Sequence, residues 1–225
     1  RHLEGKVDLV SGGPPCQPFS LGGKHRAHTD HRDMWSEAVR VVRETQPQAF
    51  IFENVKGLTR AAFAEYFSYI VLQLHHPGII RRDDENWLDH RARLERHHTS
   101  QREIVPEYRV VSRVLNAADF GVPQRRERVV FVGFRSDLHV EWTFPEKTHT
   151  VEALLWDQCR DLQYWDRHNV PFAQRNVDVR SETKADKLHE KPATKPWATV
   201  RDALRGLPDP TLPFNHNILD HRHQP

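Results

Sequence analysis

The sequence predicts an α/β protein in which parallel strands are joined by a helix. Three observations carry this prediction. Residues 7–11 form a short apolar run, which stops at Gly12-Gly13-Pro14-Pro15, and residues 49–52 form a continuous β-prone run. Between them, residues 34–45 carry apolar side chains at helical spacing. A strand, a helix and a second strand in this order are typical of a parallel sheet with a right-handed crossover.

The next elements extend this pattern. The chain breaks at Gly57, and residues 61–74 have the spacing of a second helix. Residues 81–103 are a mixed-charge insertion, which is either a solvated helix or a mobile loop. Residues 108–115 alternate like a strand, and residues 128–134 are apolar enough for a buried strand.

The apolar pattern weakens from about residue 136 onward. Residues 181–195 are polar and lysine-rich, as in a linker. Residues 198–207 have the spacing of one more helix. We therefore divide the chain into residues 1–145, an irregular linker at 146–196, and a final segment at 197–225.

Composition excludes several classes of protein. The chain has 225 residues, of which 37% are hydrophobic, enough for a core. No apolar run approaches the roughly 20 residues that span a bilayer, and no signal segment precedes the first strand. Two cysteines cannot make a disulfide framework. The pairs His75-His76 and His97-His98 are predicted to be ordinary surface histidines rather than metal ligands, because no third ligand stands at a convincing spacing. We expect an intracellular protein without metal, and the start at Arg1 suggests part of a longer chain.

Three groups of polar residues are predicted to meet at one edge of the sheet. Cys16 and Glu53 follow the first and second strands, and the carboxyl ends of parallel strands collect catalytic groups. The arginines of residues 124–128 join them if the strand at 108–115 is parallel to these two and the last strand returns antiparallel. Each group also has a plain structural explanation: an inert thiol, a helix cap for Glu53 and a solvated basic turn.

Four blocks, in order, resemble the cytosine-5 DNA methyltransferases. They are GPPCQPFS, FENV, LNAADFGVPQRRERVVFVGFR and WATVRDALRGLPDP. The resemblance covers residues 5–60 and 108–135 well and residues 197–213 moderately. It implies a Rossmann-like, doubly wound sheet of the S-adenosylmethionine-dependent methyltransferase type, of which this chain has the C-terminal half. Residues 1–145 would then be the catalytic part, and residues 197–225 would lead to a target-recognition domain.

The resemblance implies a role for each catalytic residue. Cys16 would be the nucleophile that adds to carbon 6 of cytosine. Glu53 would contact ring nitrogen 3, with Asn54 helping to fix that contact. Arg128 would stabilise the charge on the carbonyl oxygen at ring position 2. Arg126 would steady the catalytic loop or a phosphate.

The resemblance also implies a methyl donor and a nucleic-acid partner. The donor is S-adenosylmethionine, to which Pro15 could contribute a contact, although the family's glycine-rich donor loop is missing. The partner is double-stranded DNA with a flipped cytosine. The residues implied to contact DNA are Gln17, Ser20, Lys24, Arg26 and Gln124.

Three readings of the function remain open. The first is a DNA cytosine-5 methyltransferase from a prokaryotic restriction-modification system, with a cytoplasmic location. The second is the related enzyme that methylates transfer RNA. The third is an inert remnant or a split-enzyme subunit that needs a complementary chain. We expect the 225-residue chain alone to bind the donor weakly and to show no turnover.

Overall fold

The chain folds into two units in a computed structural model that describes residues 3–15, 34–100 and 106–208. The first unit comprises residues 1–116 and 127–145, and the second comprises residues 117–126 and 146–225. No helix in these described ranges is long and apolar enough to cross a membrane.

A four-stranded mixed sheet forms the centre of the first unit. Its strands are β1 (Leu9–Gly12), β2 (Ala49–Val55), β3 (Tyr108–Asn116) and β4 (Glu127–Arg135), in the spatial order β1-β2-β4-β3. β1 and β2 are parallel, and β4 is antiparallel to both β2 and β3. Three strands therefore run one way and β4 runs antiparallel to them, which meets the condition set by the sequence analysis for placing residues 124–128 at the shared edge. The insertion of β4 between β2 and β3 was not predicted.

β2 is longer than its apolar run. The ladder with β4 continues through Glu53 and Asn54 to Val55, which lies opposite Arg128. These residues extend the strand because the β4 backbone satisfies their hydrogen bonds. Side chains alternate along a strand, so Asn54 is buried while Glu53 lies on the other face and stays partly exposed.

Three helices are found among the described residues of the first unit. They are α1 (Trp35–Thr45), α2 (Ala64–His75) and α3 (Trp87–Thr99). Short 3₁₀ turns at Lys56–Thr59 and Ala61–Phe63 precede α2. The core between these helices and the sheet contains fully buried aliphatic and aromatic side chains, among them Trp35, Val42, Phe50, Ile70, Leu74 and Phe131.

Gly133 allows the sheet to pack tightly around Phe50. The two residues lie opposite each other on β4 and β2. A Cβ atom at position 133 would stand 2.2 Å from Cζ of the Phe50 ring, far inside van der Waals contact. The Phe50 ring therefore occupies the space that a side chain at position 133 would need.

The insertion at 81–103 contains an ordered helix. Asn86 caps α3 by accepting hydrogen bonds from the amides of Leu88 and Asp89, and the helix buries His90 and Leu94. The sequence contains little sign of this buried face, because the segment has few apolar residues and the face includes a histidine. The two ring nitrogens of His90 form hydrogen bonds with Tyr69 Oη and the Ile79 carbonyl.

A cluster of four histidines joins the ends of α2 and α3. His76 is 2% exposed, and its Nε2 lies 2.9 Å from Nδ1 of His98. The rings of His97 and His75 also lie beside it, with centroids 4.8 and 6.0 Å away. The sequence predicted ordinary surface histidines here, which is wrong for His76, because α2 and α3 pack together and enclose its ring.

The second unit is mainly helical. It contains β5 (His149–Thr150), α4 (Val151–Cys159), α5 (Gln163–Arg167), α6 (Val179–Asp186), β6 (Lys195–Pro196) and α7 (Val200–Ala203). Residues 146–196, for which the sequence predicted an irregular linker, therefore hold three helices. Thr150 and Asp178 cap two of them with their side chains, and Tyr164, Trp165 and Val170 form a small buried cluster.

Candidate active site

The loop after β1 and the end of β2 lie side by side. Gly12 is in register with Phe52, which brings the next residue of each strand together. A Cβ atom at Gly13 would lie 3.5 Å from Oε2 of Glu53. The chain that leads to Cys16 therefore passes directly along the Glu53 carboxylate.

Glu53 and Arg128 form an ion pair at this edge. Nε of Arg128 lies 2.5 Å from Oε1 of Glu53, and Nη1 of Arg128 donates to the Glu127 carbonyl. The Glu53 side chain is 42% exposed and the Arg128 side chain 26%. The pair can therefore be reached from solvent while Arg128 keeps a fixed orientation.

The register of the antiparallel ladder produces this pair. Glu53 lies opposite Val130, and Val55 lies opposite Arg128. Glu53 and Arg128 are thus diagonal neighbours on one face of the sheet, within reach of long side chains. A second ion pair joins the same strand ends, between Nζ of Lys56 and Oε1 of Glu127 at 2.7 Å.

Asn54 holds the loop rather than the neighbouring carboxylate. Its Nδ2 donates to the Pro14 carbonyl at 3.0 Å, and its Oδ1 accepts from the amide of Val55 at 2.8 Å. The side chain is 4% exposed. Asn54 therefore fixes the backbone two residues before Cys16, and Pro15 follows on the exposed side of that contact.

The structure brings together part of the predicted site. Glu53, Asn54 and Arg128 gather near Pro14 and Pro15 in the first unit. Gln124 and Arg126 are exposed residues of the second unit. The other predicted residues lie outside the described residues: Cys16, Gln17, Ser20, Lys24 and Arg26.

Sequence reasoning missed the pair of Lys56 and Glu127. Its signal is that Lys56 directly follows the block FENV and Glu127 lies within QRRER. Once both blocks are assigned to neighbouring strands, opposite charges at their ends point to a contact. This ion pair links the residue that follows β2 to the first residue of β4, beside Glu53 and Arg128.

The other cysteine has the properties of a packed thiol. Cys159 ends α4 and is partly buried. Burial and the nearby Glu182 and Asp186 carboxylates raise the pKa of its thiol, which disfavours the nucleophilic thiolate. In residues 3–15, 34–100 and 106–208, no three His, Cys, Asp or Glu side chains are arranged to hold a metal ion.

Comparisons with known proteins identify the family. The model for C-5 cytosine-specific DNA methylases matches residues 1–78 and 85–201. The Type II methyltransferase M.AquIA of Picosynechococcus sp. is 34% identical over 209 residues, which are 92% of this chain and 63% of that protein. The Type II methyltransferase M.HgiCII of Herpetosiphon aurantiacus is 32% identical over 88% of this chain and 40% of its own length.

A solved structure is also similar, that of a putative DNA modification methyltransferase encoded within an Escherichia coli prophage. It matches 90% of this chain and 36% of its own, with a TM-score of 0.43 and 20% identity. The present chain thus spans less than two thirds of the relatives named here. Since the family model covers most of its residues, the chain belongs to the C-5 cytosine-specific DNA methylases.

Proposed function

We propose that this chain is the catalytic part of a DNA cytosine-5 methyltransferase of a restriction-modification system. The observation that carries the proposal is the Glu53–Arg128 pair beside the loop that leads to Cys16. Carboxylate, guanidinium and thiol are the three groups that this reaction needs around one cytosine ring. The naming of both curated relatives as Type II methyltransferases supports the same function.

Cys16 supplies the nucleophile in this proposal. Carbon 5 of cytosine reacts poorly with a methyl group while the ring is aromatic. Addition of the Cys16 thiolate to carbon 6 forms a carbon–sulfur bond and moves the electrons of the 5,6 double bond into an enamine-like system. Carbon 5 then takes the methyl group, whose bond to the donor sulfur breaks and would leave a neutral thioether. A base removes the carbon 5 proton, and the electrons of that bond re-form the 5,6 double bond as the carbon–sulfur bond breaks and Cys16 leaves as thiolate.

Glu53 and Arg128 stabilise the charge that this addition creates. Electron density moves toward ring nitrogen 3, where Glu53 shares or donates a proton. It also moves toward the carbonyl oxygen at position 2, where Arg128 donates hydrogen bonds. Their 2.5 Å contact supports this arrangement, since one group orients the other on the face where cytosine would lie.

Asn54 acts as a positioning residue for the nucleophile loop. Its hydrogen bond to the Pro14 carbonyl fixes the backbone, and Pro14 and Pro15 both restrict φ. A rigid approach to Cys16 limits the positions that the thiol can take. Productive attack needs the reacting atoms within about 3.5 Å of each other.

The substrate we propose is double-stranded DNA with its target cytosine rotated out of the helix. Glu53 and Arg128 would contact the cytosine ring from one side. The residues that follow Cys16 would contact the strand through Gln17, Ser20, Lys24 and Arg26. Gln124 would also contact DNA, and Arg126 would bind a phosphate.

The methyl donor we propose is S-adenosylmethionine, which supplies an electrophilic methyl group. The described residues do not form a complete pocket for it. Residues 3–15 provide β1 and the residues that lead to the cysteine block. Pro15 is the residue we propose as a donor contact on this side.

The test traps the covalent intermediate. The whole protein that carries this chain is incubated with S-adenosylmethionine and duplex DNA containing 5-fluorocytosine. Fluorine cannot leave carbon 5 as a proton does, so we expect a protein–DNA adduct that survives denaturation. Cys16→Ser should abolish the adduct, while Cys159→Ser should retain it. An adduct formed with transfer RNA alone, or none from folded protein that binds the donor, would contradict the proposal.

A further inference from the structure

An open groove lies in the second unit, between the end of α5 and the segment around α7. It has a volume of about 560 Å³. The residues that line it are Arg167, His168, Asn169, Val200, Arg201, Leu204 and Arg205. Guanidinium groups and two exposed aliphatic side chains thus share one concave surface.

The charge in this groove is unevenly neutralised. Arg167 lies 2.9 Å from Oδ2 of Asp157 and 3.3 Å from Oδ1 of Asp202, so its charge is compensated inside the protein. Within the described part of the chain, Arg201 and Arg205 have no carboxylate partner. Among the described residues, both side chains are exposed.

The aromatic cluster orients Arg201. Its guanidinium carbon lies 5.9 Å from the ring centroids of both Tyr164 and Trp165, within the range of a cation–π contact. Both rings are buried to about 5% exposure. Stacking on a fixed surface restrains the guanidinium plane and leaves its N–H groups available for hydrogen bonds.

The backbone of this wall is fixed by a capping box. The Thr199 hydroxyl accepts from the amide of Asp202, and the Asp202 carboxylate accepts from the amide of Thr199. Asp202 also accepts from Nε2 of His168 at 2.8 Å. These contacts hold the start of the segment that carries Arg201 and Arg205, both of which line the groove.

We propose that this groove binds the sugar-phosphate backbone of duplex DNA. The inference rests on the proposed function, because it takes DNA as the substrate. Guanidinium groups bind phosphate oxygens through paired N–H donors. Val200 and Leu204, which are 65% and 55% exposed, would contact the apolar face of deoxyribose. Such contacts position the protein on the duplex without reading its sequence.

The test measures DNA binding as a function of salt. A labelled DNA duplex is titrated with the whole protein that carries this chain, and fluorescence anisotropy is recorded at several salt concentrations. Each lost phosphate contact lowers the slope of log K against log salt by about 0.9. The variant Arg201→Gln/Arg205→Gln should therefore lose close to two units of slope and bind about tenfold or more weakly at low salt.

Arg180→Gln is the matched control, since Arg180 is an exposed arginine of α6 in the same unit. It should keep the slope and affinity of the unchanged protein. The proposal would be overturned if the unchanged protein and the double variant had equal slopes of log K against log salt. It would also be overturned if Arg180→Gln lost as much slope and affinity as the double variant. Absence of salt-dependent DNA binding, or binding of duplex RNA in place of DNA, would also overturn it.

The 5-fluorocytosine adduct separates this inference from the proposed function. If the double variant still forms the Cys16-dependent adduct at saturating DNA but with weaker binding, both proposals are supported. An adduct together with unchanged binding in the double variant would reject the groove alone. Loss of slope in a protein that never forms the adduct would support the groove and reject the cytosine-5 reaction.

Discussion

Glu53 combines a structural place in the sheet with the chemical role that we propose for it. Its backbone is part of the β2–β4 ladder, and its carboxylate meets Arg128 on the exposed face. The ladder restricts the carboxylate more than a loop would. A charged pair held on a rigid element needs to move little when substrate binds. This is the basis of electrostatic preorganisation.

We predict that Glu53→Gln slows adduct formation by about 10²- to 10⁴-fold. Glutamine keeps the size of the side chain but cannot supply the proton at ring nitrogen 3. Single-turnover adduct formation on 5-fluorocytosine DNA measures the rate. Glu37→Gln, which removes a carboxylate paired with Arg40 on the surface of α1, should react at the rate of the unchanged protein. A Glu53→Gln rate within threefold of it would refute the role.

Asn54 is predicted to contribute to stability as well as to positioning. Asn54→Ala leaves the Pro14 carbonyl and the Val55 amide without this partner in a buried place. Each loss costs about 1–3 kcal/mol, so the free energy of unfolding should fall by at least about 1 kcal/mol. Urea denaturation measures it.

Gln48→Ala is the control for this change. Gln48 joins the same two strands at their other end, through a hydrogen bond from Nε2 to Oδ1 of Asp8 at 2.7 Å. That contact is exposed to water, so its loss should change stability by less than about 0.5 kcal/mol. Equal effects of the two substitutions would show that the Asn54 contact has no special role.

At the scale of residues, the sequence was most informative where polar, chemically reactive side chains lie at the ends of strands. Glu53 and Arg128 were predicted to share an edge, and their ion pair confirms that placement. The anchoring of Pro14 by Asn54 was not predicted, because a hydrogen bond across 40 residues depends on the relative register of two strands. The roles of these residues in catalysis remain predictions.

At the scale of elements, α2 and α3 are joined by a contact that should respond to pH. Burial, together with the neighbouring His97, His75 and His98 rings, lowers the pKa of His76 to about 4. Glu107 also faces it, with Oε1 3.1 Å from Nδ1, although that nitrogen makes no hydrogen bond. The packed arrangement therefore requires a neutral His76 ring.

We predict that stability falls as the pH drops from about 6.5 to about 4. The unfolded chain takes up a proton at His76 near its ordinary pKa, while the folded chain resists it, so acid favours unfolding. The loss from this residue is of the order of 3 kcal/mol. His76→Gln should flatten the pH dependence of unfolding in urea, and His189→Gln, at an exposed histidine, should not. An unchanged slope in His76→Gln would contradict this assignment.

The helix α3 explains why the insertion was hard to assign. Many of its residues are charged, and its buried face includes His90 in place of an aliphatic residue. Periodicity of apolar residues therefore gave a weak signal. The capping residue Asn86 was the available local clue, since asparagine before a helix is a common N-cap.

At the scale of the whole molecule, the sequence predicted the first unit far better than the second. The first unit contains alternating strands and helices with continuous apolar runs, which the periodicity identifies. The second depends on side-chain caps at Thr150 and Asp178 and on a few aromatic side chains. These local interactions order short helices without the long apolar pattern that a sequence scan detects.

The return of β4 between β2 and β3 has a consequence for how the protein folds. Lys56 and Glu127 are 71 residues apart in sequence, and the Glu53–Arg128 contact spans a similar distance. Both contacts appear only when the most non-local ladder of the sheet has closed. Pairing over such separations is slow to nucleate because the intervening chain loses entropy first. A nascent or partly folded chain that lacks β4 thus lacks Arg128, and with it the Glu53–Arg128 pair that we propose stabilises charge on the cytosine ring.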